Sequence, residues 1–440
     1  MKIGFVPIDD RPVCYTLPKQ IASIDKSLEL FLPKREWLGN LNKYADIEKI
    51  IGWLQNLPEL DAIIISLDTI AYGGLISSRR CEDSFEVIRT RIENLKKILI
   101  NNNAKIYAFS SIMRISNNNI NEEEKEYWAK FGEKIFNYSF CMDKYGSVCK
   151  KEIPDDILND YLETRKRNFE INKIYLDWQK DGIFDTLIFS KDDCAEYGFN
   201  VQEAKMLENM GGFVKTGADE IPLSLLARCI QNSVKIAPIF LEPEYKNLIS
   251  NYEDISIEKT VYNQIELAGC QISDVNSADI LLYVNNFVDK QGEIVMNLLT
   301  QPFAGTWQMP DKNYMIADVR FANGADNNLV NQLKKIDDNF YGYSAWNTSA
   351  NTLGSLICCA KIKFLAGNYN EDAFKKLQTI RFLDDWAYQA NVRQFKPAGN
   401  QLSEMMKNYE KKVANLLDKK YTVNYKLPWN RLFEVEIEFI

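Results

Sequence analysis

IGFVPIDD, residues 3–10, is an apolar run that ends abruptly in two carboxylates. Three further stretches repeat the pattern: AIIISLD (62–68), TLIFSKDD (186–193) and FVKTGADE (213–220). A continuous hydrophobic run of about 4–8 residues reads as a strand buried on both faces, as in a parallel sheet covered by helices. Acids at the carboxyl ends of such strands stand where parallel α/β proteins build their sites. The chain contains no histidine. Serine–histidine and cysteine–histidine nucleophile schemes are therefore excluded, and any chemistry falls to Asp, Glu, Arg, Lys, Tyr, Cys or Ser.

Working outward from these runs, strands are predicted at 2–8, 28–32, 62–67, 105–110, 186–190, 212–215, 314–319 and 340–344. Helical stretches separate them. One begins near Leu17, one covers 47–57, and one covers 82–101, where Ile88, Ile92, Leu95 and Leu99 recur at helical spacing. The charged segment 121–182 reads as mostly helical. Asn121 followed by Glu122, Glu123 and Glu124 looks like its start, because acids suit the positive end of a helix dipole. Asn200 reads as a helix N-cap. Residues 234–311 form a βαβ pattern of their own: KIAPIFL, a helix, a second helix around 257–268, then ADILLYVNN. After Asn351 the chain reads as helical nearly to Lys420 and closes on the extended LPWNRLFEVEIEFI.

Eight strands with alternating helices predict a (β/α)8 TIM-barrel-like core. Its first part would be 1–233 and the rest 312–440, with C-terminal helices and a tail. A small Rossmann-like α/β domain would be inserted at 234–311. The rival arrangement is an open doubly wound sheet followed by a second α/β domain.

The totals of the 440-residue chain narrow the function classes. Hydrophobic residues make up 46% and charged residues 26%, an ordinary globular composition. The net charge is −8, with no basic block, which disfavours nucleic-acid partners. No run reaches the roughly 18 uncharged apolar residues of a membrane span, and MKIGFVPIDD lacks the pattern of a signal peptide. The nine cysteines are scattered and odd in number, as expected of reduced thiols in a cytoplasmic protein.

Nine motif-like segments run nearly end to end: PIDDRPV (7–13), LPKREWLG (32–39), SLDTIAYGGLISSR (66–79), SSIMR (110–114), KDDCAEYGFNVQE (191–203), GADE (217–220), IADVRFANGAD (316–326), AWNTSANTLG (345–354) and PWNRLFE (428–434). In these segments the chain resembles a bacterial family catalogued as domain of unknown function 4127. The resemblance carries no established reaction with it.

The residues themselves suggest chemistry. Asp192 and Asp193 follow a buried strand, and paired carboxylates can divide acid and base work with no histidine, as glycoside hydrolysis requires. Asp193 is expected as general acid and Asp192 as the partner that orients substrate or stabilises charge. Asp10 and Asp68 are candidates for the second carboxylate. Asp9, Arg11 and Arg114 are expected to orient substrate; Arg35 and Arg320 also fall near strand ends. Tyr72 precedes Gly73-Gly74, glycines that permit close backbone approach. Asp219 and Glu220 open a helix. Trp346, Asn347 and Asn351 follow the last predicted strand and could form the apolar wall and amide rim of a sugar site.

The leading expectation is a glycoside hydrolase-like enzyme acting on N-acetylhexosamine or acidic sugars. It would need no cofactor and no metal, and its partner would be a small carbohydrate rather than nucleic acid or membrane. One alternative is a Mg²⁺- or Mn²⁺-dependent enzyme on a phosphorylated or carboxylated small molecule, since aspartate clusters can hold hard cations. Another is a non-catalytic sugar- or metabolite-binding protein.

Overall fold

The computed structural model describes residues 1–148, 152–192 and 194–440, at 399 and 400 without their side chains. The chain divides into two compact units, 1–15 with 29–222 and 16–28 with 223–440.

The first unit is built on six strands: β1 (Lys2–Val6), β2 (Glu29–Phe31), β3 (Ala62–Ser66), β4 (Lys105–Ile112), β5 (Thr186–Lys191) and β6 (Val214–Thr216). They lie in the order β2-β1-β3-β4-β5-β6, and every pair is parallel. Burial on both faces explains the sequence pattern, since all five residues of β3, AIIIS, are buried. The helix Phe85–Ile100 shows how the covering layer forms. Ser84 caps it by accepting the Val87 N–H at 3.4 Å, and Ile88, Ile92, Leu95 and Leu99 form its buried stripe. That stripe joins the core formed by Ile63 and Ile65 of β3.

The second unit carries β7 (Lys235–Phe240), β8 (Gln271–Ile272), β9 (Ile280–Asn285), β10 (Tyr314–Asp318) and β11 (Phe340–Ser344) in the order β11-β10-β9-β7-β8, again all parallel. An antiparallel pair follows, β12 (Val423–Lys426) and β13 (Glu436–Phe439). Segment 16–28 is tied into this unit by Asp25, whose carboxylate accepts the Gly367 and Asn368 N–H groups. After helix Glu371–Arg381 the backbone widens into a π-helix over Phe382–Val392.

All eight strands predicted for one barrel form, but they do not close. Six of them make the first sheet, and the last two join the second. A barrel needs the free edge of β6 to meet the next strand. Instead β10 pairs with β9, with Tyr314 opposite Leu281. At the other edge β2 has three residues and none is fully buried. Among the described residues both sheets are open. The stretch 234–311, expected as an inserted domain, supplies β7, β8 and β9 to the sheet that also contains β10 and β11. Read in its own chain order, each sheet runs 2-1-3-4-5, with one more strand in the first, the order of a doubly wound fold.

Smaller expectations also shift. The helix expected at Asn121 begins at Trp128, and Asn200 lies inside a helix capped at Gly198. Seven cysteines are free and buried, whereas Cys141 is disulfide-bonded. No helix among the described residues is long and apolar enough to cross a membrane.

Candidate active site

The carboxyl edge of the first sheet gathers most of the predicted acids of that unit. β1 delivers Asp9, Asp10 and Arg11, and β6 delivers Asp219. Arg11 binds both flanks: its Nε donates to Asp9 Oδ2 at 2.8 Å, and its two terminal nitrogens donate to Asp219 at 2.6 and 3.0 Å. The backbone N–H of Arg11 also donates to Asp9 Oδ1 at 3.0 Å. In a flat sheet β1 and β6 would stand roughly 19 Å apart, four strand spacings of about 4.8 Å. Sheet twist and the reach of the two loops close that span at the carboxyl edge. An ion pair therefore joins the ends of two strands that share no backbone hydrogen bonds. The Asp219 carboxyl is pushed up by burial, which Arg11 opposes and the Asp9 charge reinforces.

The loop after β5 supplies Asp192. Its Oδ2 lies 3.6 Å from Arg114 Nη1, and 22% of its side chain is open to solvent. Desolvation by the surrounding protein raises its pKa; Arg114 opposes the rise and the Asp219 charge adds to it. The two acids thus feel one another and each has an arginine of its own. Arg114 is itself shared: it donates to Glu123 at 2.9 Å and to Glu124 at 3.2 Å. Arg79 meets the same two glutamates at 3.4 and 3.1 Å. Arg114, expected to orient substrate, is thus engaged by the chain's own acids. Asp193 lies outside the described residues.

The remaining predicted residues of this unit play other parts. Asp10 accepts the Asn40 side-chain amide at 3.1 Å, and its carbonyl accepts Arg35 Nε at 2.8 Å. Asp68 is almost fully buried, 1% exposed, and accepts the Ser111 N–H at 2.8 Å. Burial raises its pKa to about 6 against the pull of the Ser111 and Ser110 hydrogen bonds. Tyr72 is buried in the core, beneath the Arg167 guanidinium. Gly73 and Gly74 have φ of 90° and 130°, and what they approach is the chain itself. A Cβ on Gly39 would fall 2.1 Å from the Gly73 carbonyl oxygen. Glu220 folds back to accept the Ala218 N–H at 3.0 Å.

Trp346, Asn347 and Asn351 belong to the second unit. Trp346 is buried and its carbonyl accepts Thr352 Oγ1. Asn347 takes a left-handed φ of 59°, and its carbonyl accepts the Asn323 N–H. Asn351 donates both its backbone N–H and its side-chain amide to the capping Thr348 hydroxyl. The carboxyl ends of β9, β10 and β11 carry a second acid cluster, buried at Asp318 and Asp326 and reaching solvent at Glu242, whose side chain is 26% exposed. Asp318 is 0% exposed and accepts Asn285, Tyr343 and the Asp326 N–H. Burial, then the Asp326 charge, lifts it to about 7. Arg320, also 0% exposed, reaches Asn285 at 3.0 Å and Glu242 at 2.7 Å. The Asp192–Asp219 cluster, which gathers strand-end acids at one sheet edge with Asp192 partly open to solvent, is the candidate site.

Sequence reasoning missed Arg79, Glu123 and Glu124. Arg79 stood inside the SLDTIAYGGLISSR segment, while the glutamates passed as acids of a helix start. Among the described residues no group of three or more acidic or thiol side chains is arranged to hold a metal ion.

A family model described as "Protein of unknown function (DUF4127)" matches residues 3–396. The chain belongs to the DUF4127 family. No curated protein matches this DUF4127 chain. No solved structure matches it either.

Proposed function

We propose that this DUF4127 chain is a hydrolase of glycosidic bonds that works through the Asp192–Asp219 carboxylate pair. The observation that carries the reading is the electrostatic contrast between the two acids. Asp219 is gripped by two Arg11 nitrogens, which oppose the rise that burial imposes on its pKa. Asp192 has a looser arginine contact at 3.6 Å and a pKa raised by burial and by the Asp219 charge. Glycoside hydrolysis needs two carboxyls in different roles, one giving a proton and one stabilising charge, and the unequal arginine contacts of Asp192 and Asp219 support that division. Asp192 gives its proton to the leaving glycosidic oxygen. Asp219 stabilises the positive charge that develops on the sugar ring, water adds to the anomeric carbon, and a water proton restores Asp192. Asp10, half-buried at the same edge, is a hydroxyl contact. Because Arg11, Arg79 and Arg114 are matched by acids, the reading favours neutral or N-acetylated sugars over acidic ones.

A panel of aryl glycosides that includes N-acetylhexosaminides tests it. Asp192→Asn is expected to lose about 10²–10⁴-fold on a poor leaving group and far less on dinitrophenyl glycosides, which need no acid. Asp193→Asn belongs in the same panel. Chelator dialysis should leave the rate unchanged. Wild-type turnover by Asp192→Asn/Asp219→Asn, or no turnover of any glycoside by the wild type, would dispose of the reading.

A further inference from the structure

The second unit contains a polar arrangement that the proposed reaction does not use. Beside the end of β11 a cavity of about 10 Å³ is lined by Leu17, Ser344, Ser355, Leu356, Gln378 and Arg381, among others. Two of these lining residues carry a polar atom with no hydrogen-bond partner within the protein, Ser344 Oγ and Arg381 Nε. Their residues are only 1% and 8% exposed. Buried donors and acceptors in native proteins are almost always satisfied, by protein or by an ordered water.

We infer that this cavity is the binding site of a single water molecule held between Arg381 Nε and Ser344 Oγ. Size sets the first limit, because the volume suits one water and excludes an organic ligand. Charge sets the second. The other arms of the Arg381 guanidinium donate to Asp385 at 3.1 Å and to Asp384 at 3.0 Å. Two carboxylates against one guanidinium repel an added anion, and the Nε–H group repels a cation. A neutral molecule that both donates and accepts is what remains. Hydrogen-bond capacity agrees. The water accepts from Arg381 Nε and exchanges a hydrogen bond with Ser344 Oγ. Ser355 Oγ, which donates to the Asn351 carbonyl at 2.8 Å, keeps lone pairs as a third partner. Gln378 is already engaged, its oxygen accepting the Tyr343 N–H at 2.8 Å.

The position gives the water a structural task. Arg381 ends one helix just before the backbone widens into the π-helix at Phe382. It fixes Asp385, whose other oxygen accepts the Ala345 N–H at 2.7 Å. The water completes the guanidinium that joins the π-helix to the end of β11.

A crystal structure of the full chain is the test. It should show one ordered water within hydrogen-bond distance of both Ser344 Oγ and Arg381 Nε. Clear density for an empty cavity, or an Arg381 rotamer that turns Nε onto a protein acceptor, would overturn the inference. In solution, oxygen-17 relaxation dispersion should count one fewer long-lived water in Ser344→Val, whose methyls occupy the space. Equal counts in a folded variant would also overturn it. If that variant does not fold, the wild-type crystal structure decides alone.

Discussion

Arg11→Met removes the guanidinium that joins the two flanks of the first sheet and leaves the shape of the side chain nearly intact. In the native protein one arginine neutralises two carboxylates, and the three side chains are 9%, 5% and 6% exposed. Removing one partner of a buried ion pair typically costs about 3–5 kcal/mol, because the remaining charge is left uncompensated. For a unit of this size each kcal/mol is worth about 2–4 °C in Tm, so calorimetry at pH 7 should show a drop of roughly 6–20 °C. The pH dependence separates this cause from lost packing. In the variant the buried Asp219 carboxyl, already raised by burial, loses the guanidinium that opposes the rise, so its folded pKa stands further above the unfolded value of about 3.9. A raised folded pKa means that the native state binds protons more tightly than the unfolded chain, so stability is retained at low pH and lost as pH rises through the raised value. The deficit is therefore expected to be full at pH 7 and clearly smaller at pH 5. A drop below about 2 °C at pH 7, or a deficit that does not shrink at pH 5, would refute the reasoning.

Other substitutions read separate parts of the structure. Asp68 titrates near 6 because burial outweighs its serine hydrogen bonds, so the wild type loses stability between about pH 4 and 7 by an amount that Asp68→Asn avoids. Denaturant titrations should show the variant gaining on the wild type by roughly 2–3 kcal/mol across that range. Gly39→Ala would place a methyl 2.1 Å from the Gly73 carbonyl oxygen and should lose at least about 2 kcal/mol in a urea melt. Gly52 lies in the helix Ile47–Gln55 with nothing within 4 Å of its missing Cβ; Gly52→Ala should gain about 0.5–1 kcal/mol in the same melt.

Much of the fold could be read from burial alone. A run such as AIIIS is apolar throughout because helices cover both faces of β3, and that pattern survives in the sequence without any knowledge of neighbours. Strand partnership leaves no such mark. Tyr314–Asp318 would be equally apolar beside β6 or beside β9, and only the three-dimensional register, Tyr314 against Leu281, separates an open second sheet from a closing barrel. The site divides in the same way. Asp9, Arg11, Asp192 and Asp219 could be singled out as candidates because a strand end is a local feature. Arg114, Glu123 and Glu124 share the connection after β4, and Arg79 reaches the glutamates from the separate helix Leu75–Arg80; no local pattern marks that pairing, and the glutamates carry the same local signature as a helix start. Trp346 shows the converse. An aromatic residue beside amides resembles a sugar platform in one dimension, while its burial is a property of packing in the second unit.

The claim on which the account rests is that burial and the neighbouring Asp219 charge together raise the pKa of Asp192. Carbon-13 NMR titration of the aspartate carboxyls, with Asp192 assigned by the loss of its resonance in Asp192→Asn, measures this directly. The account predicts a midpoint above the ordinary value of about 3.9 that falls when Asp219→Asn removes the neighbouring charge. A midpoint at or below the ordinary value, or one unmoved by Asp219→Asn, would contradict it.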